Sequence, residues 1–245
     1  MERNPAPHNL IVFPFTGPSM NRILLPLLAV LAVFSSAAAS AEEREWVPYK
    51  KFVESFYLDK FYAAEPRSRD HLRLLVKFEP VNKAIKPADV VLTVAHAGGR
   101  ERLPVSADGF MEVVPNPAWI KEDAMIYTSL PKGEKVQLDA LFASRTRDKL
   151  ELPYADLMTS VPQWDALLKE KAGMLRFMLP TFNGVDIHFA KPAGQTVQVM
   201  AKGGARTYTA DAKGEIKLKL DDTLMQGNPP VILSERPSMM EVDEI

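Results

Sequence analysis

The sequence predicts a mainly β fold with helices (α+β), arranged as two tandem antiparallel β-sandwich-like modules, each headed by a helix. Three observations lead there. Short segments with alternating apolar residues recur between turn-forming glycines, the pattern of sheets with one buried face. An apolar stripe at i, i+3, i+4 spacing precedes each series of such segments, as an amphipathic helix requires. Sliding the chain by 105 residues returns the same short words in one register without a gap.

The repeated words are specific. Pro48-Tyr49 meets Pro153-Tyr154, Lys86-Pro87-Ala88 meets Lys191-Pro192-Ala193, and Gly98-Gly99 meets Gly203-Gly204. Ala107-x-Gly109 falls on Ala212-x-Gly214, and Ser129 on Ser234. This divides the chain into a module over residues 43–142, a charged exposed linker over 143–149, and a second module over 150–245.

Within a module the elements follow in order. Tyr49, Phe52, Val53, Phe56 and Tyr57 form the first helical stripe; Tyr154, Leu157, Met158 and Val161 repeat it, before Pro162 breaks it and Trp164 to Lys171 resumes it. The period then falls to two in Leu72–Phe78 and Val90–Val94. Gly98-Gly99 reads as a tight two-residue reversal, with Arg102–Ser106 as its return strand. Asp108-Gly109 turns the chain into Phe110–Val114, and Ala124–Thr128 and Lys135–Leu141 complete the set. In the second module Thr196–Met200, Arg206–Ala210, Glu215–Leu220 and Pro230–Ser234 match, with Gly203, Gly204 and Gly214 at the corners. These glycines serve backbone geometry, because the spacing and following helix of a phosphate-binding loop are missing.

Residues 1–41 lie outside the predicted fold. Met20-Asn21-Arg22 is a short basic start, Ile23–Phe34 an apolar run of 12, and Ala39-Ser40-Ala41 a small-residue site preceding Glu42. That is the plan of a secretory signal peptide cut between Ala41 and Glu42, with translation starting at Met20. Twelve helical residues span about 18 Å, short of the roughly 30 Å a membrane anchor needs. The expected address is the bacterial periplasm, with no stable membrane span once the leader is removed.

Composition narrows the function. The 245 residues carry 30 basic and 31 acidic side chains, a net charge of -1, without the basic excess that nucleic-acid binders show. With no Cys, the chain has no disulfide framework, thiol nucleophile or thiolate-bound metal, which suits an oxidising compartment. No motif calls for a cofactor or a metal. His71, His96 and His188 lack the spacing of a zinc protease, although Asp186 and His188 would share one strand face. No nucleophilic Ser motif appears, and the carboxylate pairs sit in polar turns. Trp46 and Trp164 have polar residues at the matching places in the other module, Glu151 and Asp59. They join Asp186 and His188 as candidates for a contact surface; Trp119 reads as core.

Tyr49-Lys50-Lys51-Phe52, Lys86-Pro87-Ala88-Asp89-Val90, Leu103-Pro104-Val105-Ser106-Ala107-Asp108-Gly109 and Val231-Ile232-Leu233-Ser234-Glu235-Arg236-Pro237 occur together. In this combination the chain resembles a bacterial group of secreted proteins catalogued only as a domain of unknown function. The resemblance implies a periplasmic protein and assigns no activity to any residue. The expectation is a non-catalytic envelope protein that binds a protein, peptide or glycan. The alternative is a secreted hydrolase of envelope glycan or peptide, using His188 with Asp186.

Overall fold

The computed structural model describes residues 43–145, 149–172, 181–191 and 193–245. The leader over 1–41, its cleavage pair Ala41 and Glu42, and residues 146–148 of the expected linker lie outside the described residues. The fold is mainly β with a few helices, in three antiparallel sheets.

The first sheet orders β1 (Arg44–Pro48), β6 (Met125–Thr128), β3 (Leu92–His96) and β4 (Gly99–Leu103). The second orders β8 (Glu151–Pro153), β13 (Pro230–Leu233), β10 (Thr196–Ala201) and β11 (Gly204–Thr209). The third has six strands: β12 (Glu215–Lys219), β9 (Gly184–His188), β14 (Met239–Asp243), β7 (Val136–Ser144), β2 (Leu72–Pro80) and β5 (Phe110–Met111).

Strand β2 follows from its alternation: Leu72, Leu74, Val76 and Phe78 are fully buried, while Arg73 and Lys77 look outward. Tyr57, the fifth residue of the expected stripe, is exposed, but helix α1 (Tyr49–Ser55) buries Tyr49, Phe52 and Val53, and Phe56 just after it is buried too. Burying each such side chain contributes about 1.5–3 kcal/mol. Tyr57, at φ 55, then reverses the chain into α2 (Leu58–Ala63), which the sequence reading did not separate. In the second half, α4 (Tyr154–Met158) and α5 (Ser160–Ala172) follow one another. Pro162 sits in the first turn of α5 instead of ending a helix, where its missing N–H leaves no internal hydrogen bond unmade.

Two short helices were not foreseen, α3 (Pro117–Lys121) and α6 (Asp222–Gly227). Each has a side-chain cap: Asn116 accepts from Ala118 N–H at 3.0 Å, and Asp221 from Thr223 and Leu224 N–H at 2.9 and 3.1 Å. Each cap residue's own N–H donates to a buried tyrosine hydroxyl at 3.0 Å, Asn116 to Tyr49 and Asp221 to Tyr154. The tyrosines' N–H groups donate at 2.9 Å to Ala124 and Pro229 carbonyls. Val91 N–H finds Ser129 Oγ at 2.9 Å, as Thr196 N–H finds Ser234 Oγ at 2.8 Å.

The reversals fall one residue earlier than the Gly-Gly reading placed them. His96 pairs with Gly99 and Ala201 with Gly204, so the loops are Ala97-Gly98 and Lys202-Gly203. Gly109 and Gly214 hold φ of 81° and 83°, and an added Cβ would stand 2.5 Å from the Phe78 and Lys191 carbonyl oxygens respectively. Only glycine fits those corners.

The expected exposed linker begins inside the fold. Ala143 and Ser144 end β7 and are each 2% exposed. Ala143 pairs with Arg73 on one side and Glu241 on the other, so six strands from both halves of the chain make one sheet. Ser144 Oγ hydrogen-bonds Ser160 Oγ and donates to Leu157 O at 3.1 Å, tying β7 to the helices that follow. One hydrophobic cluster contains Trp46, Phe78, Leu157, Ile187 and Val242 alike.

Candidate functional site

The outward face of the third sheet gathers the polar residues singled out above. Strand β9 places Val185 and Ile187 in the core, so Asp186 and His188 point to the other face. Register brings Lys217 of β12 opposite Asp186 on one side and Glu241 of β14 on the other. Lys217 Nζ lies 3.2 Å from Asp186 Oδ2 and 3.1 Å from Asp243 Oδ2. His188 Nε2 stands 3.9 Å from Asp186 and 3.8 Å from Glu241, with Nδ1 3.9 Å from Glu215, all beyond hydrogen-bond reach.

Charge is concentrated there without full compensation. Asp186 is 4% exposed, and its Oδ1 has no hydrogen-bond partner among the described residues. Burial, with Asp243 and Asp186 beside it, lifts the Glu241 carboxyl to about 7, Lys217 opposing and Glu215 adding to the rise. Burial, the largest single influence on Lys217, would lower its ammonium, but the hydrogen bonds and charges of Asp243 and Asp186 together hold it above the ordinary value. Among the described residues, no group of three or more His, Asp or Glu is placed to hold a metal ion.

A groove of about 370 Å³ opens beside this face. It lies between the two sheet-edge strands β11 and β12, with Arg206 and Tyr208 from the first and Lys217 and Lys219 from the second. Its inner end is formed by Tyr154, Val199 and Leu224. Arg206 Nη1 is 3.1 Å from Asp221 Oδ2. That bond raises the guanidinium further, while the Leu224 N–H and then Arg206 hold Asp221 below the usual carboxylate range. Tyr154 is raised by burial, the Asp221 N–H opposing. Sequence reading missed this groove; the visible signal was Arg206-x-Tyr208 and Lys217-x-Lys219, two same-face pairs on strands that end sheets.

The tryptophan candidates go elsewhere. Trp46 is 8% exposed and packs at 6.5 Å from Phe52 and 5.9 Å from Phe78 between ring centroids, so it offers no contact surface. Trp164 stacks on Phe142 and meets Phe182 edge-on, joining α5 to β7 and not to the Asp186–His188 pair. Trp119 packs against the core as expected, edge-on to Tyr49 and stacked on His96. His96 Nδ1 accepts from Gly98 N–H at 3.2 Å and its Nε2 lies 3.4 Å from Glu101. The His71 backbone N–H donates to Gln163 Oε1 at 3.0 Å, so it anchors α5.

No helix among the described residues is long and apolar enough to cross a membrane. No curated protein and no solved structure matches the chain. A family model described as "Protein of unknown function (DUF2987)" matches residues 47–189, more than half of the chain, and the protein belongs to that family.

Proposed function

We propose that this chain is a non-catalytic protein of a bacterial cell envelope, made of two copies of one β-rich unit and binding a protein, peptide or glycan at its sheet edges. The observation that carries the binding reading is the open groove between β11 and β12, lined by Tyr208 with the buried Tyr154 behind it, and rimmed by Arg206, Lys217 and Lys219 beside Asp221. Ligand sites are concave, with aromatic walls and a few polar groups that fix orientation. The duplication is supported by the paired contacts of Tyr49 with Asn116 and Tyr154 with Asp221, and of Val91 with Ser129 and Thr196 with Ser234. The envelope address rests on the Met20–Ala41 pattern and the lack of Cys.

The test is thermal unfolding of the purified protein with cell-wall fragments, oligosaccharides and envelope peptides. A saturable rise in melting temperature supports the reading, because a ligand that binds only the folded state stabilises it by mass action. The absence of any shift across all three classes counts against it.

A second reading, a secreted hydrolase of envelope glycan or peptide, is favoured by Glu241, raised to about 7 beside His188. It requires that His188→Ala abolish hydrolysis of cell-wall glycan or peptide substrates. Turnover unchanged in that variant eliminates this version.

A further inference from the structure

We propose that the free edge of β11 pairs with β11 of a second copy of this chain, antiparallel about a two-fold axis at Thr207. The pairing rests on the sheet-edge reading above and names the partner that one edge takes.

Strand β11 ends the second sheet and pairs with β10 alone, from Gly204 to Thr209 without a bulge. Its hydrogen-bond phase is fixed by Ala210, whose N–H donates to the Gln195 carbonyl at 2.9 Å. Antiparallel neighbours exchange bonds at every second residue, so Tyr208, Arg206 and Gly204 bond toward β10 as Ala210 does. Ala205, Thr207 and Thr209 therefore aim their N–H and C=O groups away from the sheet, and all three are exposed. Among the described residues no other strand takes them up. Such a row of open main-chain groups is a template for another strand.

The strand's own sequence fits that template. Two copies of β11 bond only where edge-facing residues lie opposite one another. With Thr207 opposite the partner's Thr207, Ala205 meets the partner's Thr209 and Arg206 the partner's Tyr208. Every edge-facing N–H and C=O from Ala205 to Thr209 then has a partner, and each contact recurs by the two-fold symmetry. Sliding the copies until Arg206 faces the partner's Arg206 opposes like charges, and sliding them until Tyr208 faces the partner's Tyr208 takes Ala205 out of the ladder. Arg206 keeps its 3.1 Å bond to Asp221, so its charge is answered within its own chain. Beside the edge on the same face stand Thr196, Gln198 and Met200 of β10, all uncharged.

The first half guards its comparable edge. Strand β4, at the end of the first sheet, starts on Gly99 as β11 starts on Gly204, and carries Arg100 and Arg102 where β11 has Ala205 and Thr207. Any substantial self-pairing of β4 sets Arg100, Glu101 or Arg102 against its own copy. Charged side chains are one device by which sheets keep an edge unpaired, and the edge-facing residues of β11 lack it.

Sedimentation equilibrium of the purified protein tests the proposal, and a concentration-dependent dimer is expected. Thr207→Pro removes an N–H that the chain's own sheet does not use, so the fold should tolerate it. Self-association should weaken about tenfold, because the hydrogen bonds across the axis are lost. Thr207→Lys and Thr207→Glu should each weaken it too, by setting like charges together at the axis. An equimolar mixture of those two variants should restore the dimer, a rescue that misfolded chains could not show. The pairing is overturned if the unaltered protein stays monomeric at every attainable concentration, if folded Thr207→Pro keeps full self-association, or if the mixture restores nothing. Should envelope peptides raise the melting temperature of a protein that stays monomeric, the second copy falls and sheet-edge binding stands. Should the dimer form as expected while no envelope fragment shifts the melting temperature, the pairing stands and the envelope ligand falls.

Discussion

The Lys217 ammonium lies 3.2 Å from the Asp186 carboxylate, at a position where the cation is half exposed and the anion almost wholly buried. The bond is worth less for its own attraction than for what its loss leaves behind. A buried carboxylate without its partner carries an uncompensated desolvation cost. Lys217→Met should therefore destabilise the protein by about 1–3 kcal/mol. Adding Asp186→Asn should restore part of that, because the neutral amide no longer needs a cation. A double-mutant cycle from urea midpoints measures the coupling; purely additive effects would contradict this account.

Glu241 gives the same face a pH dependence of known sign. Its carboxyl titrates near 7 in the folded chain against an ordinary 4.5. Below pH 4.5 both states hold the proton and the full contribution is present. Between about 4.5 and 7 the unfolded chain has released a proton that the folded chain keeps, so stability falls as pH rises through that window. A displacement of this size corresponds to about 3 kcal/mol. Glu241→Gln, which stays neutral, should flatten that part of the stability–pH curve relative to the unaltered protein. Parallel curves for the two proteins from pH 4.5 to 7 would refute the burial of this carboxyl among Asp186, Asp243 and Glu215.

Tyr49 and Tyr154 each turn a ring inward and spend the hydroxyl on a helix-cap N–H. Phenylalanine keeps the ring and removes the acceptor. Tyr49→Phe and Tyr154→Phe should each cost about 1–3 kcal/mol, the penalty for leaving a part-buried cap N–H without its acceptor, and Tyr154→Phe also releases the Lys219 carbonyl that its hydroxyl reaches at 3.3 Å. Urea unfolding should show a lowered midpoint with unchanged slope in both. A cost confined to one variant would show that the two anchors are not equivalent.

Glycine corners separate strain from collision. Gly133 has φ 92° with open space around its missing Cβ, whereas Gly109 has φ 81° with the Phe78 carbonyl oxygen 2.5 Å from that point. Gly133→Ala should cost about 1–2 kcal/mol, the left-handed penalty alone. Gly109→Ala should cost clearly more, since backbone must move as well. Equal losses in thermal unfolding would remove the collision from the account.

The strand cores were legible because a buried face imposes a period of two: Leu72, Leu74, Val76 and Phe78 announce β2 without help from the rest of the chain. The α1 stripe was legible for the same reason at a period of 3.6. Strands β1 and β8 escaped notice since Trp46, Val47 and Leu152 are too few to show any period. Val185 and Ile187 in β9, and Met240 and Val242 in β14, also alternate, but two buried residues in each strand are too short a run to define its bounds. That Asp186 and His188 share a face could be read locally. That Lys217, Glu215 and Glu241 join them could not, because register between distant strands is set by the packed sheet. Trp46 misled because a polar counterpart at Glu151 says nothing of the rings of Phe52 and Phe78 that enclose it.

The seam between β7 and β14 bears on how the polypeptide can be cut. Ala143 meets Glu241 at the centre of the six-stranded sheet, so a break near residue 147 would strip both strands of a neighbour. Each fragment would then present raw main-chain donors and acceptors along β7 or β14, the condition under which strands recruit other chains. Fragments expressed alone should self-associate, and mixing them should return a soluble heterodimer held along that line.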